Sequence, residues 1–133
     1  MEFYREASLH AYLLERKDAI IEILKEFFED DVTIEFYADE LELPSRWGYG
    51  KKRVDMAFTT DIGSVILVEI KNKRVTGSAV FDQIYEYMDL AEKYMTCDGE
   101  PVNALGVIIA PSFSKSALEV LVDNQNKLRG ITV

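Results

Sequence analysis

The chain is short of the residues that would commit it to several common designs. It has one cysteine, Cys97, which excludes an internal disulfide framework and a multi-cysteine zinc site. Three prolines and seven glycines in 133 residues are too few for a linker-rich or low-complexity chain. No apolar run approaches the ~20 residues of a membrane span. The opening MEFYREASLH puts acids and a histidine where a secretion signal needs an apolar core. These absences describe a cytoplasmic protein with no membrane partner. Basic charge is short as well. Fifteen Lys and Arg stand against 24 Asp and Glu, a net charge of −9, which is the wrong sign for a tight nonspecific nucleic-acid binder. The bases that exist are locally dense in residues 48–53 and 71–74, while the acids crowd into the first 42 residues.

What is present is enough apolar residue, 48%, to bury one core, at a length typical of a single domain spanning residues 1–133. Residues 8–29 carry Leu9, Leu13, Ile20, Leu24 and Phe27 at three-to-four spacing and predict an amphipathic helix. Residues 32–38 alternate as a strand. Residues 39–52 read as a long loop or hairpin end punctuated by Pro44, Gly48 and Gly50. A strand over 53–59 and a Gly-containing turn at 61–64 lead into residues 64–71, SVILVEIK, the pattern of a central strand buried on both faces. A helix over 78–94, a loop at 97–101, a buried strand over 104–110, a helix over 114–126 capped by Ser114 and a short strand over 129–133 complete the chain. The order α-β-β-β-α-β-α-β predicts an α/β fold: a mixed central sheet of about five strands with helices on both sides.

Glu69 is the anomaly. It sits in a strand whose other residues ask for burial, and an ionised carboxylate there costs several kcal/mol unless a charge compensates it. Period-two alternation places Glu69 and Lys71 on one face with Val65 and Leu67. Folding the hairpin brings Asp55, the lone acid of the preceding strand, to the same end of the sheet. Mg²⁺ takes hard oxygen ligands and keeps several waters, so two carboxylates and a backbone carbonyl, here that of Ile70, make a sufficient protein share. Such an ion neutralises a phosphodiester, activates water and stabilises the leaving oxygen, and Lys71 beside it would orient the water. Glu-x-Lys by itself is more often a solvated strand face, and the apolar run plus Asp55 are what single this one out. On the next helix Gln83 and Tyr87 lie four apart and share a face. Taken alone, they read as a surface amide and a core-edge aromatic.

Asp55-x13-Glu69-x-Lys71 followed by Gln83-x3-Tyr87 resembles the PD-(D/E)xK nucleases, most closely the C-terminal catalytic domain of the NucS (EndoMS) mismatch endonucleases, with RecB-type nucleases as broader relatives. Residues 5–20 look like that domain's opening helix, and residues 104–121, with their Ala-Pro-Ser junction, like its late strand and helix. The resemblance implies a restriction-endonuclease-like three-layer sandwich and a Mg²⁺- or Mn²⁺-dependent DNA endonuclease. Asp55, Glu69, Lys71, Gln83 and Tyr87 would be catalytic, and Glu6, Asp55, Glu69 and Ile70 would hold the metal. It also implies DNA as the partner, with affinity supplied by a homodimer or a separate DNA-binding partner, because the NucS enzymes carry an N-terminal DNA-binding and dimerisation domain. The alternative is a non-catalytic nuclease-fold domain that binds or assembles within a larger complex, as the −9 charge would favour.

Other residues weigh less. Lys51, Lys52, Arg53, Lys73 and Arg74 read as phosphate contacts or as solvent-facing charge. Trp47 and Tyr49, near Arg46, read as base-stacking or loop-packing aromatics. Glu15 and Glu22 share the first helix with Glu6 and read as a solvated face. His10, the sole histidine, reads as a structural side chain at a helix edge, and Cys97 has nothing nearby to activate it.

Overall fold

The apolar run of residues 65–68 builds the middle of the molecule. In the computed structural model, which describes residues 5–44 and 51–133, it lies in β3 (Ser64–Ile70), all of whose residues are buried. The remaining elements are α1 (Glu6–Leu14), α2 (Lys17–Leu24) with a 3-10 turn after it (Lys25–Phe27), β1 (Ile34–Pro44), β2 (Lys51–Thr60), α3 (Ala79–Tyr94), β4 (Thr96–Cys97), β5 (Glu100–Pro101), β6 (Asn103–Ala110), α4 (Lys115–Asp123) and β7 (Leu128–Thr132). Five strands form one sheet in the order β1-β2-β3-β6-β7. The first two pairings are antiparallel and the last two parallel, so the sheet is mixed, as the sequence predicts.

The layers follow from connectivity. Two successive crossovers that advance in the same direction put their helices on the same face of a sheet. Accordingly Ile84, Tyr87 and Met88 of α3 and Ala117 and Leu121 of α4 share one core with Val65 and Leu67. Leu9 and Leu13 of α1 and Ile20 and Leu24 of α2 cover the other face, against Ile66, Val68 and Ile70. Gly106 on β6 lets α3 come close: a Cβ there would stand 2.9 Å from Ile84 Cγ1 and 2.9 Å from Met88 Sδ. Among the described residues no helix is long and apolar enough to cross a membrane.

Three local expectations are corrected. The single helix over 8–29 is two helices and a 3-10 turn, broken at Glu15 and Arg16. A straight rod of that length would lift one end off a twisted sheet, whereas the break buries both the Leu9/Leu13 pair and the Ile20/Leu24 pair. The Arg16 guanidinium fixes the bend, donating to the Tyr12 carbonyl at 2.9 Å and lying over its ring. Residues 39–44 are strand rather than loop, because Leu41 and Leu43 continue to turn inward against the core that α3 covers. The loop at 97–101 holds a small hairpin, β4 paired with β5, whose Asp98 and Gly99 both have positive φ (53° and 81°), the conformation of a two-residue type I′ turn. The element order is therefore α-α-β-β-β-α-β-β-β-α-β, with the small hairpin outside the main sheet.

Candidate active site

The site forms where β2 and β3 part. Their recorded pairing runs from Thr59↔Val65 to Met56↔Val68, and the next positions would be Asp55 and Glu69. There the carboxylate of Asp55 takes the place of a backbone acceptor: its Oδ2 accepts from the Ile70 amide at 2.7 Å. The same carboxylate is hydrogen-bonded to Glu69. Glu69 is 3% exposed and, by alternation with Val65 and Leu67, belongs to the face that α3 covers.

Burial dominates the electrostatics of this pair. It pushes the Glu69 carboxyl from 4.5 up to about 9, and the hydrogen bond to Asp55 and the Asp55 charge add to the rise. Lys71 opposes it, and Glu6 contributes weakly in the same direction as Asp55. Buried beside a second carboxylate, Glu69 keeps its proton unless a cation replaces it.

The donor set fits a hard divalent ion. In a strand the N–H and C=O of one residue point to the same side, so the Ile70 carbonyl faces the edge where its amide meets Asp55. Two carboxylates and that carbonyl are the share Mg²⁺ accepts from a protein, with water filling the remaining positions. Among the described residues no three His, Cys, Asp or Glu side chains gather into a metal cage. Glu6 stands one step out from the pair, where two clefts meet.

The first cleft, of about 810 Å³, has Lys52, Lys71, Lys73 and Arg74 among its walls, with Gln83, Glu6, Asp82 and Glu86. Lys73 and Arg74 ride on a segment pinned by Val75, whose amide and carbonyl bond to Ser112 and Ser114. The second cleft, of about 400 Å³, brings Glu6, His10, Asp39 and Glu40 to Asp55 and Ile70. On α3, Gln83 Nε2 donates to Tyr87 Oη at 2.7 Å. Tyr87 is buried, and burial, with the Glu69 charge second, pushes its hydroxyl up to about 12, so it serves as a neutral phenol.

Of the residues singled out in the sequence, the structure brings together Asp55, Glu69 and Ile70, lines one cleft with Lys71 and Gln83, and puts Tyr87 behind Gln83. Glu6 lines both clefts, whereas Glu15 and Glu22 line neither and sit exposed beside Arg16 and Lys25. Lys52 lies 4.0 Å from Glu86. Arg53 is engaged elsewhere, 3.7 Å from both Glu40 and Glu42. The Lys51 side chain, Arg46, Trp47 and Tyr49 lie outside the described residues. Sequence reasoning missed Asp39, which meets His10, and the cleft acids Asp82 and Glu86. The latter pair carried a readable signal, the same four-residue spacing one position ahead of Gln83 and Tyr87.

No protein-family model and no curated protein matches the chain. Solved structures do. A repair endonuclease from Pyrococcus abyssi superposes with a TM-score of 0.60 at 20% identity, covering 100% of this chain and 49% of its own. An EndoMS–dsDNA complex gives 0.56 at 20%, over 99% and 49%, and EndoMS in its apo form gives 0.57 at 19%, over 100% and 48%. The chain thus spans about half the length of the proteins it matches. It has the restriction-endonuclease-like α/β/α fold found in these repair endonucleases.

Proposed function

We propose that this chain is the catalytic domain of a Mg²⁺- or Mn²⁺-dependent DNA endonuclease, a hydrolase of phosphodiester bonds. The observation that carries the reading is the pairing of the buried Glu69 with the half-buried Asp55 at the parting of β2 and β3. When bound there, the cation neutralises the phosphate, activates the attacking water and stabilises the leaving oxygen. Asp55 and Glu69, the latter on losing its proton, would hold it, with the Ile70 carbonyl and Glu6 as further oxygen donors. Lys71, in the wall of the larger cleft, orients the water and balances the negative charge. Gln83 reaches the phosphate from α3 and is steadied by Tyr87. Lys52, Lys73 and Arg74 line the path of the strand to be cut. The fold shared with repair endonucleases, one of them in complex with double-stranded DNA, supports DNA as the substrate and repair as the setting. In this reading residues 1–133 form one domain of a cytoplasmic protein. A homodimer or a separate DNA-binding partner would supply affinity that a net charge of −9 does not.

The test is incubation with mismatched, branched, nicked and single-stranded DNA in the presence of Mn²⁺. Wild type cleaves at least one substrate, and Glu69→Gln and Lys71→Met lose that cleavage. Equal behaviour of wild type and both variants on every substrate overturns the proposal. A second reading, a non-catalytic nuclease-fold domain acting within a larger complex, draws on the acids that engage Arg53 and Lys52. Calorimetric binding of Mn²⁺ with no cleavage of any DNA would favour it.

A further inference from the structure

We propose that His10 and Asp39 form a clasp between α1 and β1 that positions Glu6 for cation binding. The inference rests on the metal-site reading above and adds to it a pair of residues outside the nuclease motif.

α1 has little to hold its first turn. It is nine residues long, its N-cap residue Arg5 makes no side-chain capping bond, and only Leu9 and Leu13 are buried beneath it. Helices this short are marginal without tertiary ties, and the first turn, with its unbonded amides, is the part most prone to fray. Glu6 lies in that turn. His10 is one turn further on, four residues away and therefore on the same face. Its Nε2 meets Asp39 Oδ1 at 2.5 Å, across 29 residues of chain. The imidazole is 15% exposed and the Asp39 carboxylate 42%, so the tie is sheltered at its helix end and open to solvent at its strand end.

The strand end of the clasp has its own peculiarity. Glu40, next to Asp39, has φ +50°, a left-handed conformation that strains a non-glycine residue. Pairing of Asp39 with Met56 and of Leu41 with Val54 sets Glu40 opposite Asp55. The backbone of β1 is thus bent at the level of the carboxylate pair, and the bend adjoins the residue that reaches across to α1. Both clasp residues line the smaller cleft together with Glu6 and Asp55. Without the clasp, Glu6 depends on the first turn of α1 alone.

Mn²⁺ titration by calorimetry at one fixed pH, with thermal unfolding of the ion-free proteins alongside, tests this. His10→Ala and, from the strand side, Asp39→Ala each weaken Mn²⁺ binding by about 10-fold, the order seen for residues that orient metal ligands. His10→Gln, whose amide can still donate to Asp39, recovers most of the loss. In a Glu6→Gln background, His10→Ala has no further effect on affinity, because what it positioned is gone. Wild-type affinity in both alanine variants overturns the clasp, as does an equal loss in the presence and absence of Glu6. Those outcomes leave the metal site intact as long as Glu69→Gln abolishes binding. A wild type that binds no Mn²⁺ overturns the clasp and the metal-site reading together.

Discussion

A carboxylate in an oily strand is a question the sequence asks by itself, and Glu69 could be singled out because every neighbour in residues 65–70 is apolar. Asp55 followed from hairpin geometry, whereas helical spacing put Gln83 and Tyr87 on one face and only the family resemblance gave them a role. Asp39 could not be found that way, since its partnership with His10 depends on how a helix crosses a strand. The proton that Glu69 retains beside Asp55 has a consequence for stability. The Glu69 carboxyl is raised to about 9 in the folded chain from an ordinary 4.5, so between those values the folded state keeps a proton that the unfolded state has lost. The ion-free protein therefore loses stability as pH rises from about 4.5 to about 9. Urea unfolding at a series of pH values should show this decline. Saturating Mn²⁺ should flatten it, and Glu69→Gln should remove most of the slope and raise ion-free stability at neutral pH. A flat wild-type profile would contradict a buried, protonated Glu69.

At the level of elements, patterns that extend over many residues were legible, and local backbone decisions were not. The buried β3 and β6 and the amphipathic α3 and α4 follow from periodicity and lie within a few residues of where it places them. The break at Glu15 and Arg16 carries no glycine or proline, and only the shape of the sheet beneath explains it. The Asp98–Gly99 turn did carry its signal, one obscured by the shortness of the flanking strands. Gly106 and Glu40 supply the element-scale predictions. Gly106→Val drives a branched side chain into Ile84 and Met88 and pushes out the helix that carries Gln83 and Tyr87. It should lower stability by about 1–3 kcal/mol in thermal or urea unfolding. Glu40→Gly, which relieves the positive φ, should hold or raise stability by up to about 1 kcal/mol, while the β-branched Glu40→Val lowers it.

For the molecule as a whole, the sequence supplied the net charge but not its placement. Four of the 24 acids, Glu35, Asp39, Glu40 and Glu42, are exposed along β1, at an end of the sheet order. Charge on an edge strand discourages pairing with another sheet, so part of the −9 has a use unrelated to any ligand. Four of the 15 cations, Lys52, Lys71, Lys73 and Arg74, line the larger cleft together with Glu6, Asp82 and Glu86. DNA binding should accordingly be weak and only moderately salt-dependent. A plot of log affinity against log salt would have a slope no steeper than about −4 for four phosphate contacts. Lys73→Ala should reduce that slope by about 1 without changing preference among substrates, as measured by fluorescence anisotropy at several salt concentrations.

The hydrogen bond from the Ile70 amide to Asp55 gives one side chain an architectural duty beside its proposed chemical one. Truncating it to alanine orphans a main-chain donor at the tip of a central strand, so an inactive Asp55→Ala protein would leave loosened scaffold and lost chemistry entangled. Asparagine retains an oxygen for that donor while discarding the negative charge. If the scaffold matters as described, amide hydrogen exchange at Ile70 will accelerate in the alanine protein and stay slow in the asparagine one, which makes asparagine the cleaner knock-out for any biological experiment.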